Sequence, residues 1–564
     1  MDILRAIPLV VGVVLALCSQ TATWGAELRL PGIFGDHMVL QQSRTIPVWG
    51  WAEAGDAITV TLGSLTAATT TAADGKWRVD LPSTVANSQP QRLVVSGRTT
   101  VVCDDVLVGD VWLCAGQSNM EFGVLNIRKK EELHGDGVRV FCLTKSAALT
   151  PLDDTLSVPK ELVWDTATGH WSTTPDAGTW NGFSAVGYLY GLRIHQLTGN
   201  PVGLIGSYWG GTPAQAWTSR EALERDPALA HYAQQVRDLK PEQRARYPVV
   251  WANYVAAMRT WSTEVFEPDN AALRTWETAA KAAQQNGTAA PPKPQPSGKR
   301  PTPPGNEGLP TTLFNGMINP LIPYAITGVV WYQGEANVHD GEGYGILFSA
   351  MIRDWRARWG QGDFPFLFVQ LAGYGAPVSD PSRGTWAALR AGQRAALALP
   401  NTAMAVAIDV GTRDDIHPRN KAPVAERLAA AAQRVAYGKD VVASGPTFAA
   451  LRIDGSRARV SFVAPAAGLI SGTPPPLPGA AAVPAGADLL GFEIAGADQH
   501  WFRATAVIDG TEVVVTSDQV PQPVAVRYAW GDFPACSLYN AAGLPAVPFR
   551  TDAWNPKAAF ETPH

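Results

Sequence analysis

The stretch WLCAGQSNMEF, Trp112 to Phe122, ends an apolar run in small and amide residues with one serine among them. A serine hydroxyl becomes a nucleophile when a base takes its proton. Neutral imidazole does this near neutral pH, with a carboxylate on its other nitrogen fixing the tautomer. Ser118 and His417 are candidates for that pair, and Asp414, three residues before the histidine, is the candidate carboxylate on the same loop. The oxyanion that develops on attack needs fixed donors. The Ser118 backbone N–H, a backbone N–H of Gly210 or Gly211, and the side-chain amide of Gln333 could supply them. Asp415 and Glu335 are further carboxylates in the same motifs that could support His417. Serine–histidine acyl transfer needs no metal or other cofactor, and no CxxC or HExxH spacing points to one. Each residue also has a plainer reading. A serine after a strand is commonly a turn residue or helix N-cap. The DDIHP run could cap the helix that follows, Glu335 could pair with Arg390, and the glycine pair could serve a tight turn. The Gly-x-Ser-x-Gly elbow is absent because Met120 holds its last position.

Five strand-like segments position these residues: VLVGDVWLCA, PVGLIGSYW, AITGVVWYQ, FPFLFVQLA and TAMAVAID. They lack polar alternation, as strands buried on both faces do. They alternate with the helical segments YLYGLRIHQLTG, GILFSAMIRDWRARWG and APVAERLAAAAQRVAYG, which predicts an α/β domain with a mostly parallel sheet over residues 106–438. In such sheets ligands bind beyond the carboxyl ends of the strands. Four of the five segments end in the serine, the glycine pair, Gln333 with Glu335, or the loop of Asp414 and His417.

Around this domain the pattern is β-rich. Residues 26–105 predict a small β-sandwich, with an Asp-Gly turn in ADGKW. Residues 439–564 predict a second β-rich domain of short strands between Gly, Pro and Asp turns. A polar insertion over about 220–310, helical and then Pro-rich, interrupts the central domain. The first 25 residues, with Arg5 before IPLVVGVVLALC, read as a secretory signal. The mature chain is therefore expected outside the cytoplasm, in a periplasm or the extracellular space. No later stretch is apolar enough to insert stably in a membrane, and a net charge of -5 gives no basic footprint for nucleic acid. Four cysteines remain after the signal, and their spacing does not fix any pairing. Twenty tryptophans offer either core packing or faces on which sugars could stack.

The segments GDVWLCAGQSNMEF, GGTPAQAWTS, NGMINPLIP, WYQGEANV, DIHPRNK and VRYAW…SLYNAAGLPAVPFRTD together resemble the sialate O-acetylesterase family. The likeness begins near LPGIFGDHMVLQQ and runs nearly to the C-terminus, outside the Pro-rich insertion. It implies an SGNH hydrolase core, a flavodoxin-like three-layer fold, flanked by the two β-rich domains. It implies Ser118 as nucleophile, His417 as base, and glycine and Gln333 positions in the oxyanion hole. The wider superfamily spaces its acid as Asp414 stands here, whereas the nearer relatives resemble this chain most at Asp415. The implied reaction is removal of acetyl esters from a sugar or glycan, with sialic acid as the first substrate. Deacetylation of xylan or pectin is the alternative enzyme reading, and a secreted, non-catalytic carbohydrate-binding protein is the alternative from another class.

Overall fold

The computed structural model describes residues 27–128, 137–155, 171–172, 182–261, scattered residues between 264 and 301, and 308–375, 384–463, 468–472 and 489–554. The segment read as an export signal and part of the Pro-rich stretch lie outside the described residues.

The central sheet is built from strands β1 (Thr100–Gly116), β2 (Val138–Cys142), β3 (Val202–Tyr208), β4 (Gly328–Tyr332), β5 (Phe366–Gln370) and β6 (Thr402–Val406), in the order β6-β5-β4-β1-β3-β2. All five pairings are parallel, and only the short edge segment Trp171–Ser172 runs antiparallel, against β2. These are the strands expected from the apolar segments, with β2 in addition. Every residue of β2 to β5 is buried, which explains why none of them alternates. Helices α1 (Ser118–Glu121), α2 (Ala185–Thr198), α3 (Gly341–Trp359), α4 (Thr385–Ala395) and α5 (Ala422–Val435) accompany the sheet. Helix α2 packs against α5, and α3 against α4. Much of the tryptophan content is core: Trp331 meets Trp217 and Trp355 edge to face at centroid distances of 5.9 and 5.7 Å.

Strand β1 is 17 residues long and joins two regions. Its first part pairs antiparallel with Asn87–Ser96, which in turn pairs with Ala57–Leu62, and Ala57–Leu62 pairs with Leu65–Thr70 in the N-terminal β region. Its second part is the middle of the central sheet, so this strand runs unbroken across residue 105. The Asp-Gly turn is present, with Gly75 at φ +80. It links two sheets rather than closing a hairpin, because Lys76–Leu81 pairs with Ile46–Trp51 instead. The C-terminal region holds two four-stranded antiparallel sheets and a two-stranded pair. Among the described residues no disulfide joins the cysteines: Cys103, Cys114 and Cys142 are buried and Cys536 is half-buried.

Candidate active site

β1 is flanked by β3 on one side and β4 on the other, so its carboxyl end lies where the connections of the sheet diverge, the usual place for a ligand. From Val106 to Val124 every residue is buried except Ser118. The chain turns sharply just before it. Gly116 sits at φ +140, and a Cβ there would lie 2.2 Å from the Tyr332 carbonyl oxygen of β4, so only glycine fits. Gln117 fastens the turn. Its N–H donates to the same carbonyl at 3.0 Å, and its Oε1 accepts from the Ala336 N–H at 3.1 Å. Ser118 thus opens a one-turn helix at the mouth of the sheet.

The other three strand ends reach this serine to different degrees. Gly210, after β3, is adjacent: a Cβ on it would stand 3.1 Å from the Ser118 Cβ. Its N–H donates to Glu121 Oε2 at 2.7 Å, and Lys145 holds the other oxygen of that carboxylate at 2.5 Å. Gly211, at φ +78, borders open space, since a Cβ there would meet nothing within 4 Å. The His417 loop arrives on the other side. Asn119 donates to the Ile416 carbonyl oxygen at 2.9 Å, and the His417 ring stacks on Phe122 with centroids 6.4 Å apart.

The structure places Asp415, not Asp414, against His417. The Asp414 side chain is 95% exposed, and its charge neighbour is Arg413 at 3.9 Å. Asp415 Oδ1 lies 3.7 Å from His417 Nδ1 and accepts the His417 backbone N–H at 2.8 Å. That local turn, an aspartate capping the N–H two residues on, swings the second carboxylate of DDIHP toward the ring. Burial lowers the His417 pKa and the Lys421 charge lowers it further, against the opposing pull of Asp415 and Glu121. The ring is thereby kept neutral, the form a base needs.

Gln333 differs from expectation. It is fully buried, and Nε2 donates to the Thr212 carbonyl oxygen and to Asn337 Oδ1 at 3.2 and 2.8 Å, while Oε1 accepts from the Tyr344 hydroxyl at 2.8 Å. Both amide protons are committed to holding the loops after β3 and β4, leaving none for an oxyanion. Glu335 pairs neither with Arg390 nor with His417 in the described contacts. It accepts the Asn119 side-chain N–H at 2.5 Å. Arg390 instead donates to the carbonyl oxygens of Leu371, Ala372, Gly531 and Asp532.

Polar residues of the site that were not singled out from the sequence include Asn119, Glu121 and Lys421, all buried, and the half-buried Lys145. Lys421 Nζ donates to Asn119 Oδ1 at 2.5 Å, and burial pushes its pKa down to about 7. A signal for it exists, since Lys421 directly precedes the apolar face of APVAERLAAAA and must enter the protein with that face.

A family described as carbohydrate esterase, sialic acid-specific acetylesterase, matches residues 310–434, which contain Gln333, Glu335, Asp415 and His417. Sialate O-acetylesterase of Rattus norvegicus is 29% identical, over 96% of this chain and 98% of its own length. That of Homo sapiens is 28% identical, over 95% and 96%. The crystal structure of a carbohydrate acetylesterase from Xanthomonas citri superposes with a TM-score of 0.70 at 34% identity, over 94% of this chain and all of that one. The chain belongs to the carbohydrate acetylesterases, with residues 310–434 matching the sialic acid-specific family among them.

Proposed function

We propose that this carbohydrate esterase releases acetate from O-acetylated sugars through an acetyl-enzyme on Ser118, within an SGNH-type, flavodoxin-like three-layer core. The observation that carries this reading is the placement of one accessible serine, in an otherwise buried run, between the Gly210–Gly211 turn and the His417 loop. His417 takes the Ser118 hydroxyl proton as Oγ attacks the acetyl carbonyl, and Asp415 orients the ring through Nδ1. The backbone N–H groups of Ser118 and Gly211 are the donors for the oxyanion. When the tetrahedral intermediate collapses, the sugar hydroxyl leaves with the proton from His417. Water, deprotonated by the same ring, then releases acetate and restores Ser118.

Sialic acid is the preferred sugar in this reading. The family resemblance supports that choice, since the matched family is described as sialic acid-specific and the curated relatives are sialate O-acetylesterases. A site of action outside the cytoplasm belongs to the same reading, supported by the signal-like run after Arg5. The test is acetate release from O-acetylated sialic acid, acetylated xylan and acetylated pectin, each with and without EDTA. The expected result is preference for the sialic acid and indifference to the chelator. Preference for xylan would overturn the sugar, and chelator loss restored by one metal would overturn the mechanism.

A further inference from the structure

Two segments distant in sequence must meet for this reaction, the Ser118 turn and the His417 loop, and one buried side chain spans them. Asn119 is 2% exposed and makes hydrogen bonds in three directions. Its Oδ1 accepts from Lys421 Nζ at 2.5 Å. Its Nδ2 donates to Glu335 Oε1 at 2.5 Å and to the Ile416 carbonyl oxygen at 2.9 Å. A backbone carbonyl only accepts, so the amide must turn Nδ2 toward Ile416 and Oδ1 toward the lysine. Lys421 and Glu335 are themselves 1% and 8% exposed. The lysine also lies over the rings of Phe122 and Tyr332, 5.0 and 5.2 Å from their centroids.

Such a network is a poor means of stabilising a fold. Burying an ammonium and a carboxylate costs more than their attraction returns unless the geometry is held closely, and apolar side chains of similar volume often do as well. What the network provides is a unique spacing. Asn119 follows the nucleophile in the chain and binds the carbonyl of the residue before the base. Lys421 and Glu335 fix the plane in which it does so.

We propose that Asn119, clamped between Lys421 and Glu335, is a positioning residue that sets the separation of Ser118 from His417. This rests on the assignment of those two residues as nucleophile and base. The lysine has a second effect by the same contact. Its charge lowers the His417 pKa, while Asp415 on the same loop and Glu121 from α1 raise it, and Glu335 faces the lysine from the β4 loop.

The test uses the full chain and a fluorophosphonate probe. The Ser118 oxygen forms a P–O bond, fluoride leaves, and His417 takes the hydroxyl proton, so labelling reports the pair without the sugar site. Wild type should be labelled at Ser118. Asn119→Ala should be labelled about 100-fold more slowly, the usual penalty for an ångström-scale misplacement. Its kcat should fall in parallel while KM stays within about threefold. Glu335→Gln keeps an acceptor for the amide and should stay within about tenfold of wild type. Labelling of Asn119→Ala at the wild-type rate would overturn the positioning role and leave the nucleophile standing. Absence of label on Ser118 in wild type would instead overturn the nucleophile, and the positioning role with it. Should Asn119→Ala fail to fold, Lys421→Met decides. Losing the cation should move the acid limb of kcat/KM to higher pH, and an unmoved limb would overturn the proposal.

Discussion

The roles of Asp414 and Asp415 cannot be separated by spacing, because a carboxylate two or three residues before a histidine can reach its ring. The backbone turn decides. Asp415 caps the His417 N–H and so lies on the ring side, while Asp414 points to solvent. Asp415→Asn is therefore expected to cut kcat strongly, since an amide favours the wrong imidazole tautomer, and Asp414→Asn to change it little. Steady-state kinetics on the two variants checks this directly. The pH profile carries a second expectation. His417 titrates below the ordinary histidine value, so kcat/KM should hold into mildly acidic solution and fall only below that value. Asp415 raises this pKa, so its loss should move the acid limb lower still, even as the rate drops. That the Ser118 turn, the glycine pair and the His417 loop meet at one edge of the sheet was legible in the sequence, because each follows a recognisable apolar strand. The committed amide of Gln333 was not, because hydrogen-bond partners from Thr212, Asn337 and Tyr344 converge only in three dimensions.

Five of the six parallel strands were readable from unbroken apolar runs, and α2, α3 and α5 from their spacing, whereas β2 and α4 were not. What escaped is where elements continue or part company. VLVGDVWLCA is only the end of a strand that begins at Thr100, and sequence alone does not show a strand shared by two sheets. The turn that ends this strand carries Ser118. Gly116→Ala would put a Cβ on the Tyr332 carbonyl in a backbone region that L residues avoid. Strain of this kind costs about 1–3 kcal/mol. Thermal unfolding should show a lowered midpoint, and activity should fall further than stability, because relief of the clash moves Ser118.

The C-terminal β region is joined to the catalytic sheet through buried polar contacts rather than a linker alone. Arg427 of α5 forks onto Asp409 at 2.6 and 2.7 Å, both side chains being buried, and the Tyr539 hydroxyl donates to the same carboxylate at 3.2 Å. Asp409 lies just beyond β6 on the path to His417, so docking of this region and placement of the base share one residue. Arg427→Leu leaves that carboxylate buried without its cation and is expected to destabilise the protein by about 3–5 kcal/mol, read as a lowered denaturation midpoint. For the molecule as a whole, serine catalysis is tested most directly by acetate release from an O-acetylated sugar by Ser118→Ala. The substitution removes one hydroxyl and should leave the fold intact. The expected result is a loss of about three orders of magnitude or more relative to wild type. A folded Ser118→Ala protein that releases acetate within about tenfold of the wild-type rate would contradict a nucleophilic role for Ser118.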